Sequence, residues 1–172
     1  MKIQKYVIVW LLFALAANAC TRFADVNTLG ERLSETENTD EILQLAGELK
    51  SRGKNGIPGL LRALASVYER DRWALVEYGR INVYIKTLHE LAVEGVYTAE
   101  EVPILIRTLK IQTYMPDTYV TADTLCIITG VDPGYSIEFV KSYSGSKADE
   151  KARIGKIEKW KQWLRKNCSD AK

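Results

Sequence analysis

The residues best suited to chemistry in this chain are its three cysteines, Cys20, Cys126 and Cys168. A cysteine can bind a metal ion, attack a substrate as its thiolate or form a disulfide. None of the three belongs to a C-x-x-C pair, and their wide spacing does not match a zinc site. Neither Cys126 nor Cys168 lies in a basic helix-start context, so the sequence predicts no reactive thiol.

The other candidate catalytic groups have simpler interpretations. His89 is the only histidine, and the sequence around it offers no cluster of carboxylates or thiolates to complete a metal site. Glu100 and Glu101 follow Thr98 in the pattern of a capping box, where a helix start favours acidic side chains. No serine lies in a G-x-S-x-G elbow, and no phosphate-binding glycine loop is present. We therefore predict no catalytic residue, no metal site and no cofactor.

The beginning of the chain has the pattern of an export signal. Residues 1–5 contain two lysines and no acid, and residues 6–17 form an apolar run without a charge. This run is shorter than the roughly 20 residues that a membrane-spanning helix needs. Ala17, Asn18 and Ala19 form an A-x-A cleavage site directly before Cys20. The pattern predicts a signal peptide over residues 1–19.

The same stretch resembles a bacterial lipoprotein signal, in which the cysteine after the cleavage site becomes the acylated first residue. Ala19 and Cys20 match that pattern, whereas Ala17 and Asn18 stand where leucine and then alanine or serine are commoner. The resemblance implies that Cys20 is the lipid attachment site of a bacterial envelope protein that is membrane-anchored and faces the periplasm. A soluble secreted form and a retained membrane helix remain the alternatives.

The odd number of cysteines suggests a pairing of Cys126 with Cys168. If Cys20 is acylated, Cys126 and Cys168 are left as one pair in an oxidising compartment. We therefore predict a disulfide between Cys126 and Cys168 that ties the last helix to the rest of the domain.

The charges of the chain are balanced in number but not in position. Without residues 1–19 the chain has 22 basic and 22 acidic side chains, which gives no reason to expect nucleic acid as a partner. Residues 21–50 contain three basic and seven acidic residues, whereas residues 147–172 contain nine basic and four acidic residues. Solvent-exposed helix faces of opposite charge are the simpler explanation of this uneven distribution. The alternative is a basic surface for an acidic partner or an anionic lipid.

Apolar spacing predicts a helical domain after a polar segment. Residues 20–39 are polar and indicate a tether, in which Val26, Leu29 and Leu33 permit a short helix. A helix is expected from Asp40, which would cap it, to a stop at Gly53. The three-four spacing continues in later stretches, which predicts further helices at 57–64, 73–93, 98–111 and 148–167.

One stretch also has the composition of a strand. Residues 118–131 are rich in Thr, Val, Ile and Tyr, which favour strands. The spacing of Val120, Leu125 and Ile128 favours a helix instead. Residues 132–134, with the sequence Asp-Pro-Gly, predict a turn in either case.

Two pairs of segments form an internal repeat. The sequence IPGLLRAL at 57–64 shares proline, leucine, arginine and leucine with VPILIRTL at 102–109, 45 residues later. Upstream of these, ILQLA at 42–46 matches LHELA at 88–92 with an offset of 46. A period of this length with two helices in each unit is typical of helical repeat proteins.

This repeat resembles the HEAT and armadillo class. The segment 119–135 is similar to the last helix of HEAT-like arrays, where a tryptophan-bearing terminal segment follows, here with Trp160 and Trp163. The resemblance implies an all-α fold over residues 40–172, namely a short α-α superhelix of helical hairpins with a C-terminal capping helix.

The sequence as a whole predicts a non-catalytic, protein-binding helical-repeat module that is anchored to the envelope through Cys20. It identifies neither the partner, nor the residues that bind it, nor the oligomeric state. An inhibitor or immunity-type protein against an envelope-active enzyme is one alternative. An enzyme that uses dispersed acidic residues is another.

Overall fold

A computed structural model of the chain describes residues 25–69, 75–111 and 118–168. Within these ranges every regular element is a helix, which confirms the predicted all-α class. Among these helices, none combines the length and apolar character that crossing a bilayer would require. The helices are α1 (Val26–Glu35), α2 (Thr39–Ser51), α3 (Ile57–Glu69), α4 (Leu75–Val93), α5 (Glu101–Ile111), α6 (Thr118–Thr129), α7 (Ile137–Ser142) and α8 (Lys147–Asn167), with a 3₁₀ turn at Gly53–Gly56.

The helices pack in two layers. In the first layer α2 contacts α4, and α4 contacts α6. In the second layer α1 contacts α3, α3 contacts α5, and α5 contacts α8. Contacts between the layers include those of α2 with α1 and α3, and those of α6 with α5 and α8. The core lies between the layers, because each helix buries its apolar stripe against the opposite one.

The segments that match in sequence also match in burial. In the octapeptides 57–64 and 102–109, the second and sixth positions, proline and arginine, are exposed, and the other positions are buried except for the partly buried Ile104. The pentapeptides 42–46 and 88–92 both bury their first, fourth and fifth residues. Equivalent side chains of the two halves therefore face the core in the same way.

The first helix lies in the stretch that the sequence indicated to be a tether. Val26–Glu35 forms α1 and packs on α2 and α3, with 1% of Leu29 and 0% of Leu33 exposed. The short helix expected around these leucines is confirmed, but it belongs to the domain and does not interrupt a free linker. Of the expected tether, residues 20–24 lie outside the described ranges.

Helix caps differ in one detail from the prediction. Asn38, not Asp40, caps α2, because the Asn38 side chain accepts hydrogen bonds from the amides of Asp40 and Glu41 at 2.9 and 3.2 Å. Asp40 lies in the first turn, where its charge interacts favourably with the helix dipole. Gly53 follows the helix with φ of +56°, as expected of a glycine stop.

The threonine-rich stretch forms helix α6, as its apolar spacing favoured. Thr124 and Thr129 donate their hydroxyl hydrogens to the carbonyls of Val120 and Leu125, at 2.7 and 2.6 Å. These bonds let a helix bury hydroxyl groups without leaving them unpaired. The predicted turn after α6 is also present, with Gly134 at φ of +74° and its amide bonded to the Asp132 carboxylate at 2.7 Å.

Helix α8 packs on the second layer through only part of the apolar stripe that its spacing predicts, which consists of Ile154, Ile157, Trp160, Trp163 and Leu164. Ile157 and Trp160 are buried, but Ile154 is 52% exposed and does not belong to the stripe. Arg153 lies on the same buried side of α8 as Ile157 and Trp160, and its guanidinium donates to the Leu109 carbonyl at 3.0 Å. The buried side of α8 therefore includes a charged residue.

Two glycines bring α1 and α3 close together. A Cβ atom added at Gly30 would lie 2.9 Å from both the Cα and the carbonyl oxygen of Gly59. A Cβ atom added at Gly59 would lie 2.7 Å from the Leu49 side chain and 3.0 Å from the Val26 carbonyl. The crossing of these two helices therefore requires residues without side chains.

This contact predicts that Gly30→Ala destabilises the protein. The added methyl group meets backbone, which cannot rotate away, so we expect a loss of about 1–3 kcal/mol in the free energy of unfolding. Gly47→Ala is the matched control, because Gly47 is also helical but has nothing within 4 Å of its added Cβ. That change should be neutral or stabilise by up to about 1 kcal/mol. Urea unfolding measures both, and equal effects would contradict the tight crossing.

Candidate functional site

A cleft of about 400 Å³ opens between α4 and α6, two successive helices of the first layer. Its wall combines aliphatic side chains with polar and charged groups. The lining residues are Asn82, Ile85, Lys86, His89, Tyr119, Val120 and Asp123.

Helical spacing places the polar groups of the cleft on two facing rows. Asn82, Lys86 and His89 are separated by four and then three residues, so they share one face of α4. Tyr119 and Asp123 are four residues apart and share one face of α6 in the same way. The contact between these two helices brings the rows to opposite sides of one opening.

Hydrogen bonds hold His89 in one orientation at the cleft. Its Nδ1 lies 3.2 Å from the hydroxyl oxygen of Thr124. The single hydroxyl hydrogen of Thr124 is donated to the Val120 carbonyl, so the Thr124 oxygen accepts from Nδ1–H. The Nε2 of His89 is then free to accept a hydrogen bond when the ring is neutral, and it lies 3.8 Å from the Asp123 carboxylate.

The charged and aromatic groups of the cleft are accessible to a partner. Lys86 and Asp123 are exposed and carry opposite charges, and Tyr119 is 37% exposed. Ile85 and Val120 add an apolar surface, with Ile85 buried and Val120 partly buried. The cleft can thus bury an apolar group while offering a cation, an anion and hydrogen-bonding groups at its edge.

Of the candidate catalytic and metal-binding residues in the described ranges, only His89 lines this cleft. The sequence indicates a structural or exposed role for His89 and does not single out Lys86, Tyr119 or Asp123. The four-residue spacing of Asn82 and Lys86, and of Tyr119 and Asp123, is present in the sequence, but the same spacing is typical of any solvent-facing side of a helix. The sequence alone did not predict that α4 packs on α6.

The two described cysteines are free thiols, so the predicted disulfide between Cys126 and Cys168 is not formed in the structure. Cys126 lies within α6, and Cys168 is the C-cap that follows Asn167 at the end of α8. Burial and the nearby Asp132 and Asp123 raise the pKa of Cys126 to about 11.

The two glutamates at the start of α5 have different environments. Glu100 is exposed, whereas Glu101 is fully buried and its Oε1 accepts the Thr98 amide hydrogen at 2.6 Å. This bond is one half of the predicted capping box. The other half is absent, because the Glu101 amide bonds to the Thr98 carbonyl and the Thr98 hydroxyl has no partner among the described residues.

The remaining predicted site residue, Cys20, lies outside the described ranges, as does the predicted signal peptide. In residues 25–69, 75–111 and 118–168 there is no cluster of three or more side chains suited to a metal ion. No protein family model, curated protein or solved structure matches the chain.

The buried position of Glu101 predicts a specific dependence of stability on pH. Burial raises the pKa of Glu101 from 4.5 to about 7, and the bond from the Thr98 amide only partly opposes that shift. The folded protein therefore binds this proton more tightly than the unfolded chain does. The resulting stabilisation is fully present below pH 4.5 and is lost as the pH rises through 7, by about 3 kcal/mol in total.

Glu101→Gln should remove this dependence, because glutamine resembles the neutral carboxyl group and can still accept the Thr98 amide hydrogen. The free energy of unfolding, measured by urea titration at several pH values between 4.5 and 8, should fall less steeply in this variant than in the wild type. Glu100→Gln is the matched control at the exposed neighbouring position and should follow the wild type. Parallel curves for all three proteins would contradict the assignment.

Proposed function

We propose that this chain is a non-catalytic, protein-binding helical-repeat module, held at a bacterial envelope membrane by a lipid on Cys20. The observation that carries the binding role is the cleft between α4 and α6, where apolar and charged groups are accessible together. Interfaces are typically built in this way, with an apolar centre and a polar rim. The lipid anchor is supported by the sequence pattern that ends at Cys20.

The helical-repeat part of the proposal is supported by topology and burial. Alternate helices contact each other in two layers, which is how helix pairs stack in HEAT-like arrays. The octapeptides 57–64 and 102–109 expose the same two positions in α3 and α5. We propose a short superhelix in which α1 adds one helix at the start and α8 covers the end.

Tyr119 is the side chain in the cleft best suited to anchor a partner. Tyrosine offers a large contact area and a hydroxyl group, and it is enriched among residues that dominate binding energy. It lies beside Val120, and Lys86 and Asp123 line the same cleft. Because those two charges are opposite, a partner with both an acidic and a basic side chain would fit the cleft best.

The candidate reactive groups support a role without catalysis. The raised pKa of Cys126 leaves little thiolate at neutral pH, and only the thiolate is a good nucleophile. One carboxylate oxygen of Glu101 is occupied by the Thr98 amide, and the residue is fully buried. Neither residue is among those that line the cleft.

A lipid on Cys20 would hold the domain near the bilayer surface. Only residues 21–25 separate Cys20 from the start of α1 at Val26. Five residues span at most about 17 Å when fully extended.

The binding role predicts a crosslink at position 119. We expect Tyr119→p-benzoylphenylalanine, irradiated in cells of the native host, to form a discrete adduct of higher mass that gel electrophoresis detects. Tyr97→p-benzoylphenylalanine is the matched control, because Tyr97 is similarly exposed, at 39%, but does not line the cleft. Adding Lys86→Glu should abolish the adduct, since it reverses a charge at the cleft without changing a buried residue.

The same adduct at both positions, or none at position 119, would count against the cleft as the binding surface. Mass spectrometry of the adduct would identify the partner. An enzyme as the partner would favour the inhibitor or immunity-type version of this function.

The anchor predicts a change in fractionation. Cys20→Ala should move the protein from the membrane fraction to the soluble fraction, because acyl chains contribute about 0.8 kcal/mol for each buried methylene group. Cys168→Ala is the control and should leave the protein in the membrane fraction. Intact mass measurement should show a lipid-dependent increase in the wild type and in Cys168→Ala, but not in Cys20→Ala. A wild-type chain without added lipid mass would refute the anchor.

A further inference from the structure

The outer face of α8 has a row of exposed lysines. Lys147, Lys151, Lys159 and Lys166 are all exposed. Within the described residues, none of these four lysines forms an ion pair. Their positive charges therefore face solvent without local compensation.

The carboxylates of α8 do not neutralise this row, because each has another partner. Asp149 bonds to the amide and hydroxyl of Ser144 at 3.0 and 2.6 Å. Glu150 pairs with Arg153 at 2.6 Å. Glu158 pairs with both Arg165 and Lys161, at 2.6 and 3.1 Å. The acidic groups thus pair with other cations or with the loop before the helix.

Helical geometry places the lysines opposite the packed side of α8. With 3.6 residues per turn, Lys151, Lys159 and Lys166 lie within an arc of roughly 80° that faces away from the core. The 15 steps from Lys151 to Lys166 span about 22 Å along the axis. Ile154, which is 52% exposed, lies to one side of this arc, and Trp163, which is partly buried, lies to the other.

We propose that this lysine face binds the surface of an anionic lipid bilayer. A straight helix that presents several flexible ammonium groups along about 22 Å fits a flat array of phosphate headgroups. The exposed Ile154 and the accessible part of Trp163 beside the lysines can enter the headgroup region, where tryptophan is favoured. The contact depends on the charges of α8 and not on an acyl chain.

The distribution of charge favours a membrane over a soluble polyanion. Residues 21–50 carry seven acidic and three basic side chains, so the other end of the domain would repel a nucleic acid that wrapped around it. A bilayer touches only one face, which the basic helix can provide by itself. The face is also separate from the cleft, which lies between α4 and α6 of the first layer.

Lysine footprinting on the full chain tests this proposal. The protein is mixed with vesicles of phosphatidylcholine alone or of phosphatidylglycerol with phosphatidylcholine, and a water-soluble reagent acetylates exposed lysines. With the anionic vesicles at low salt, the rates at Lys151, Lys159 and Lys166 should fall relative to Lys54 and Lys86, which are exposed elsewhere. High salt should reverse the effect, because it screens the attraction. Residues 6–17 are present in both samples and cannot explain a difference between them.

A triple variant, Lys151→Gln, Lys159→Gln and Lys166→Gln, gives a second measurement. Each lysine near an anionic surface should contribute roughly fivefold to binding, so the preference of the chain for anionic over neutral vesicles should fall by roughly 100-fold. Lys54→Gln, at an exposed position outside both α8 and the cleft, is the control and should keep the preference. Circular dichroism confirms that the helices remain folded.

Three results would overturn the proposal. The first is equal acetylation of the α8 lysines with both kinds of vesicle. The second is an unchanged preference for anionic vesicles in the triple variant. The third is protection of these lysines by heparin but not by anionic vesicles, which would assign the face to a soluble polyanion.

Discussion

Side chains from distant helices bond to backbone carbonyls at the ends of other helices, and the arrangement of the two layers depends on this constraint. The last carbonyls of a helix have no partner within it, and leaving them buried without one is costly. The partners here are large side chains that are themselves buried. The bonds join Tyr84 to Leu33 at 2.8 Å, Arg153 to Leu109 at 3.0 Å and Trp160 to Val131 at 3.0 Å.

These bonds attach the first and last helices, α1 and α8, to the rest of the domain. Tyr84 of α4 holds α1 against the first layer, so residues that look like a linker become part of the core. In α8, Arg153 bonds to α5 and Trp160 bonds to the turn after α6. One helix therefore contacts a helix of each layer. The cost of burying Arg153 is offset by its ion pair with Glu150 and its bond to Leu109.

The two proposed contacts of the molecule use different layers. The cleft for a protein partner lies between α4 and α6 of the first layer, whereas the lysine face lies on α8 at the end of the second. Helix α1, which begins shortly after the proposed anchor at Cys20, is at the other end of that second layer. A chain held to the membrane along the second layer would therefore leave the cleft accessible to a partner.

The sequence by itself determined the local elements, because helix periodicity and turn chemistry depend only on neighbouring residues. It predicted the helices from α1 to α6, helix α8 and the turn at 132–134. It did not predict the cleft, because His89 and Asp123 are 34 residues apart and meet only when α4 packs on α6. For the same reason the exposure of Ile154 and the separate thiols of Cys126 and Cys168 were decided by tertiary structure. Which face of a helix is buried, and which side chains meet across a contact, depends on helices far away in the chain.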